Sequence, residues 1–178
     1  PSSAGVVVIT REKSYFLIDF RYVEKAKQIV DSCEVHLSSS PVDEIKELCE
    51  KSGTKTLFVE SEKTSVDFYK RLSEKLSPAG VKVSDSDKFD ILLRDLRSIK
   101  NEKELSLIKA AQKKTDDTFT YILERIAAGR TEKDVMLDME FFMRKLGSEG
   151  VSFDFIVVSG KNSSLPHGVP TDKKIERG

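Results

Sequence analysis

Cys33-Glu34-Val35-His36-Leu37, Ser40-Pro41-Val42-Asp43 and Thr56-Leu57-Phe58-Val59 follow one another along the chain, and their order sets its fold class. The first stretch alternates apolar and polar side chains, as a strand with one buried face does. The second is a helix start, with Ser at the N-cap, Pro at the first helical position and a carboxylate in the first turn. Val42, Ile45, Leu48 and Cys49 then recur at helical spacing, and Gly53 supplies a left-handed stop. The third stretch is an apolar run rich in strand formers, a second strand. Strand, helix and strand in succession build an α/β layer.

Upstream, Gly5-Val6-Val7-Val8-Ile9-Thr10 and Tyr15-Phe16-Leu17-Ile18-Asp19 flank the charged turn Arg11-Glu12-Lys13 and read as a hairpin, which makes the expected sheet mixed. Tyr22, Ala26, Ile29 and Val30 share one face of a helix. Downstream, Val66, Tyr69, Leu72 and Leu76 stripe another, ending at Pro78 and Gly80, and Val81-Lys82-Val83 is a further short strand. The second half changes character. Asn101-Glu102-Lys103-Glu104 is a capping-box variant that opens a helix running to Gly129, striped by Leu105, Ile108, Ala111, Thr115, Phe119, Ile122 and Ile126. Thr131 and Asp134 cap the next helix, with Val135, Met139, Phe142 and Leu146 inside and Gly147 at its end. Phe153 to Val158 is expected to be a strand, and Lys161 to Pro170 a loop. Two domains are expected, residues 1–97 and 98–178. Two helices and one strand bury no core alone, so the second is expected to be the opening of a larger unit and the chain a fragment.

Charge excludes several partners. Lys plus Arg number 30 and Asp plus Glu 30, so the chain lacks the basic excess that a nucleic-acid or anionic-membrane binder carries. No run of 18 apolar residues suggests a membrane span, and Pro1-Ser2-Ser3-Ala4-Gly5 lacks the pattern of a signal peptide. The two cysteines, Cys33 and Cys49, have no metal-ligand spacing and read as thiols in a reducing, cytoplasmic compartment.

Chemistry-bearing motifs are sparse. Only His36 and His167 exist, and neither belongs to a metal-binding pattern, so no metal ligand is assigned. His36 alternates with Val35 and Leu37 and reads as structural or solvent-facing. His167 sits between Pro166 and Gly168 in a loop after a strand, where small-molecule sites collect. Asp19 and Arg21 read as a structural ion pair. Nucleophile elbows and phosphate-binding glycine loops are absent. The residues alone reach an α/β domain followed by a second one, and name no reaction.

Three stretches, however, resemble a known family. Ser152-Phe153-Asp154-Phe155-Ile156-Val157-Val158 leading into Ser159-Gly160-Lys161-Asn162-Ser163-Ser164-Leu165-Pro166-His167-Gly168, then Asp172-Lys173-Lys174-Ile175-Glu176-Arg177-Gly178, resembles the entry to the catalytic domain of Xaa-Pro aminopeptidases (aminopeptidase P) and prolidases. Leu96-Arg97-Ser98-Ile99-Lys100-Asn101-Glu102-Lys103-Glu104 is similar to that family's inter-domain junction, and Ser3-Ala4-Gly5 with Ile18-Asp19-Phe20-Arg21-Tyr22 to its amino-terminal domain.

The resemblance implies a mixed-sheet, ribonuclease-H-like creatinase N-terminal domain whose first segment is missing. After it would come the first helices and strand of an α+β pita-bread catalytic domain, cut before its metal ligands. It implies a hydrolase cleaving the bond between an N-terminal residue and proline with two divalent ions, manganese or cobalt, none held by this piece, which alone is expected to be inactive. Substrates would be peptides with proline second. A homodimer, or association with the remaining portions of the same protein, would be the assembly. His167 would hydrogen-bond the reacting peptide, and Phe153 would line the pocket beside it. Prolidase action on dipeptides, a non-catalytic pita-bread binding module and creatinase-like chemistry stay open as alternatives.

Overall fold

The computed structural model describes residues 5–177; Ser3, Ala4 and Gly178, which contribute to the resemblance, lie outside them. Thr10 closes the opening hairpin. Its N–H and its hydroxyl both donate to the Lys13 carbonyl at 2.8 Å, and its Oγ1 accepts from Lys13 N at 3.0 Å. β1 (Gly5–Ile9) and β2 (Ser14–Ile18) therefore pair antiparallel, with Val8 opposite Tyr15. After the short helix α1 (Val23–Ile29), β3 (Glu34–Leu37) joins β2 in parallel, Leu17 beside His36, which makes the sheet mixed. Helix α2 (Pro41–Lys51) follows, with Gly53 at φ 64° behind it. β4 (Thr56–Phe58) and β5 (Lys82–Ser84) form a second, parallel ladder joined through α3 (Val66–Leu76).

Both ladders feed one core. Val8 and Leu17 from the first sheet meet Ile45, Leu48 and Cys49 of α2, Leu72 and Leu76 of α3, and Val59, Val81 and Val83. Leu17 and Leu76 are wholly buried. Each such leucine contributes about 1.5–3 kcal/mol of transfer free energy. Burial also pushes the Cys49 thiol above its ordinary range, as an inert core cysteine requires.

The chain divides into two compact units, Pro1–Ser98 and Ile99–Gly178. In the second, α5 (Glu102–Leu123) starts in a full capping box: Glu104 N donates to Asn101 Oδ1 at 2.9 Å, and Asn101 N to Glu104 Oε2 at 2.8 Å. α6 (Glu132–Lys145) repeats the device with Thr131 and Asp134. The two helices are joined by a Tyr121–Phe142 stack at 3.9 Å and by Tyr121 Oη donating to Asp138 Oδ1 at 2.8 Å. Arg130 pairs with the other oxygen of Asp138 at 3.1 Å. No helix among the described residues is long and apolar enough to cross a membrane.

The structure adds one helix and corrects three sequence expectations. Helix α4 (Lys88–Ser98), where no element is expected, runs one residue past the expected boundary at residues 97 and 98. It buries none of its side chains, and Asp90 ties its start to the loop after β4 by accepting from Ser61 N at 2.9 Å and Ser61 Oγ at 2.7 Å. In α1 only Ala26 is buried, because Tyr22 is the N-cap and Ile29 is two-thirds exposed. α5 stops at Leu123 rather than Gly129, since the backbone from Gly129 onward pairs elsewhere: Gly129 N donates to Ile175 O, and Ile175 N to Arg130 O. Its buried residues are Thr118 and Ile122, while Leu105, Ile108 and Phe119 of the expected stripe are exposed. Finally, residues 153–158 are not a strand. A strand needs a neighbour to accept its ladder, and none lies beside them among the described residues.

Candidate functional site

The first turn of α6 anchors the segment that carries His167. Thr131 caps the helix, and the next side chain, Glu132, is fully buried. Its Oε1 accepts from Ser159 N at 2.7 Å and Ser159 Oγ at 2.9 Å, and its Oε2 from Thr171 N at 3.1 Å and Thr171 Oγ1 at 2.7 Å. The hydroxyls also accept: Ser159 Oγ from Lys173 Nζ at 2.7 Å, Thr171 Oγ1 from Lys173 N at 3.2 Å. Backbone bonds from Glu132 N to Lys173 O and from Lys133 N to Thr171 O complete the seam. The Thr171 hydroxyl first, then the two Ser159 donors, outweigh desolvation and hold the Glu132 carboxyl at about 2, below its ordinary 4.5. It is an anion at any physiological pH.

Between these anchors the chain makes a 3₁₀ turn, Gly160–Ser164, and then a tight turn in which Gly168 N donates to Leu165 O at 3.2 Å. Pro166 and His167 are the two central residues. Proline presets the first, and because no described non-glycine residue has positive φ, the turn is not type II. Gly168 is buried against Val158: a Cβ there would lie 2.6 Å from Val158 Cγ1. Only glycine lets the turn seat this closely. The effect is to hold the backbone of the loop down while His167 itself stays exposed.

Phe153, the other expected substrate residue, is 74% exposed in the extended segment leading to Ser159, and it makes no ring contact with His167. Both side chains therefore lie open, and His167 has no hydrogen bond to another described residue. His36 sits on β3 edge-on to Tyr15, with Glu34 and Glu44 at 3.8 and 4.0 Å and its side chain 40% exposed. Asp19 and Arg21 satisfy one another: the guanidinium spans both carboxylate oxygens, and Arg21 N adds a bond at 2.9 Å. That pairing lowers the Asp19 pKa. Among the described residues no group of three His, Cys, Asp or Glu side chains could hold a metal ion. Sequence reasoning missed Glu132 altogether. An acid in a first helical turn is commonplace, and its partners lie 27 and 39 residues away.

Comparison with known proteins adds to this geometry. Residues 1–99 match the creatinase/prolidase N-terminal domain, and residues 106–178 match metallopeptidase family M24. The chain is 38% identical over 178 residues to the uncharacterized peptidase YqhT of Bacillus subtilis, covering 99% of this chain and 49% of that one. The solved structure of an Xaa-Pro dipeptidase from Bacillus anthracis superposes with a TM-score of 0.87 at 34% identity, over all of this chain and 49% of that protein. An X-Pro aminopeptidase from Thermotoga maritima superposes at 0.85 with 33% identity, over 99% of this chain and 49% of that protein. The chain thus spans about half the length of the relatives it matches. Both stretches of the chain thus match one kind of protein, and the chain belongs to the Xaa-Pro peptidase family, a creatinase/prolidase N-terminal domain joined to family M24 sequence.

Proposed function

We propose that the full-length protein is an Xaa-Pro aminopeptidase, hydrolysing the bond between an N-terminal residue and proline, and that this chain supplies a substrate-side loop of its active site. The bond is a tertiary amide, and proline offers no N–H to a site that reads its substrate as a strand. The ring must be recognised by shape and the scissile carbonyl by a separate donor. His167 is that donor: an imidazole N–H hydrogen-bonds the reacting peptide, and Phe153 borders the apolar pocket that takes the ring. The observation that carries the reading is the Leu165–Gly168 turn, whose backbone is seated on Val158 while His167 is left open.

Two divalent ions, manganese or cobalt, belong to the proposal as the source of the activated water. No described group could hold them, so the chemistry derived for this chain stops at orienting the substrate.

Full-length protein, supplied with manganese or cobalt, is assayed on Xaa-Pro dipeptides and on Xaa-Pro-Yaa peptides. The proposal expects release of the first residue from the longer peptides. Turnover of dipeptides alone replaces it with the prolidase reading, and turnover of neither overturns it.

A further inference from the structure

Glu132 does more than a first-turn acid needs to do. A carboxylate on the helix surface would serve the α6 dipole equally well. This one is fully buried, and its two oxygens are divided between the two ends of a single loop: Oε1 takes both donors of Ser159, Oε2 both donors of Thr171. His167 lies on the stretch between. We infer that Glu132 is a positioning residue for His167, closing the loop of residues 159–171 at its base so that the turn presents the imidazole in one place. The inference rests on the reading of His167 given above.

The hydrogen-bond inventory shows why a carboxylate is required. Ser159 N and Thr171 N are fixed backbone donors and can only be met by acceptors. A carboxylate offers an acceptor to each end. The hydroxyls donate to it as well, and each accepts from Lys173, so their hydrogens are directed at the carboxylate. Glutamine has the same shape but one acceptor oxygen. Its NH2 would face a backbone N–H at one end of the loop, and that end would be released.

The test uses full-length protein and four forms: wild type, Glu132→Gln, His167→Ala and the double variant. In Glu132→Gln, amide exchange across residues 160–170 is expected to quicken about tenfold, while the interior of α5 and α6 keeps its protection. Its kcat on an Xaa-Pro-Yaa peptide is expected to fall about tenfold to a hundredfold with KM little changed, the cost of a misplaced group. The double variant is expected to be no slower than His167→Ala, because Glu132 acts only through that side chain. Losses that multiply in the double variant, or unchanged exchange in Glu132→Gln, overturn the inference. If His167→Ala itself keeps full kcat, the reading of His167 falls, and the exchange result still decides whether Glu132 closes the loop. Should Glu132→Gln fail to fold, Thr171→Val removes one donor and leaves the carboxylate. It is expected to shift exchange and kcat the same way by less, and no shift in either overturns the inference.

Discussion

The two units are held together by different physics. In the first, side chains from both ladders, the residues flanking them, α2 and α3 make one apolar core among the described residues, with Leu17, Leu72 and Leu76 at or near complete burial. In the second, the buried side chains among the described residues include Ile122 and Val135 but also Thr118 and Glu132. The segment bearing His167 is fixed there by directional bonds to one carboxylate and by one close glycine contact. Apolar burial is non-directional and sets a fold without fixing any one side chain to a fraction of an ångström. Hydrogen bonds to a buried anion are short and aimed, which suits the loop proposed to present His167.

That contrast can be broken at several points. The largest stability effect is expected in the apolar unit: Leu76→Ala should cost about 2–5 kcal/mol in a denaturant melt. A loss under about 1 kcal/mol would mean that the core is not what holds this unit. In the second unit, Gly168→Ala pushes a Cβ into the stiff side chain of Val158 and should cost about 1–3 kcal/mol, with Val158→Ala in the same chain restoring most of it. Failure of that rescue would separate the glycine from the valine.

The smallest effect is one of pH, read at the two anchors of the Glu132 seam. Glu132 titrates at about 2 when folded against an ordinary 4.5. A depressed carboxyl contributes stability that is fully present above pH 4.5 and is lost as pH falls through about 2. The amide resonances of Ser159 and Thr171 should therefore shift across that window in wild type and stay flat in Glu132→Gln. Movement in the variant would assign the transition to another group.

Local pattern carried much of the fold. The hairpin around Arg11 to Lys13, the strand–helix–strand order after it and the two capping boxes all depend on residues within a few positions of one another, and the structure has each of them. Helix α4 had a readable signal too, with Phe89, Leu93 and Leu96 at helical steps, but none of its side chains is fully buried. The stripe on α5 showed that the helix is amphipathic without showing what covers its apolar face. Residues 153–158 had strand composition, yet a ladder is a property of two segments, and composition describes one. The candidate site was legible only in part, for the same reason. His167 stood out between Pro166 and Gly168, while Glu132, whose partners come from Ser159 and Thr171, is recognisable only once the chain is folded.

The most direct test of the account is His167→Ala in the full-length protein, with kcat, metal content and melting temperature measured on the same preparation. An exposed side chain with no described hydrogen-bond partner contributes little to the fold, and a group that orients the reacting peptide contributes to the rate. The account predicts kcat lower by roughly two to four decades, with metal content and melting temperature unchanged. Loss of bound metal, or an unfolded second unit, would make His167 a ligand or a structural residue and contradict the role assigned to it.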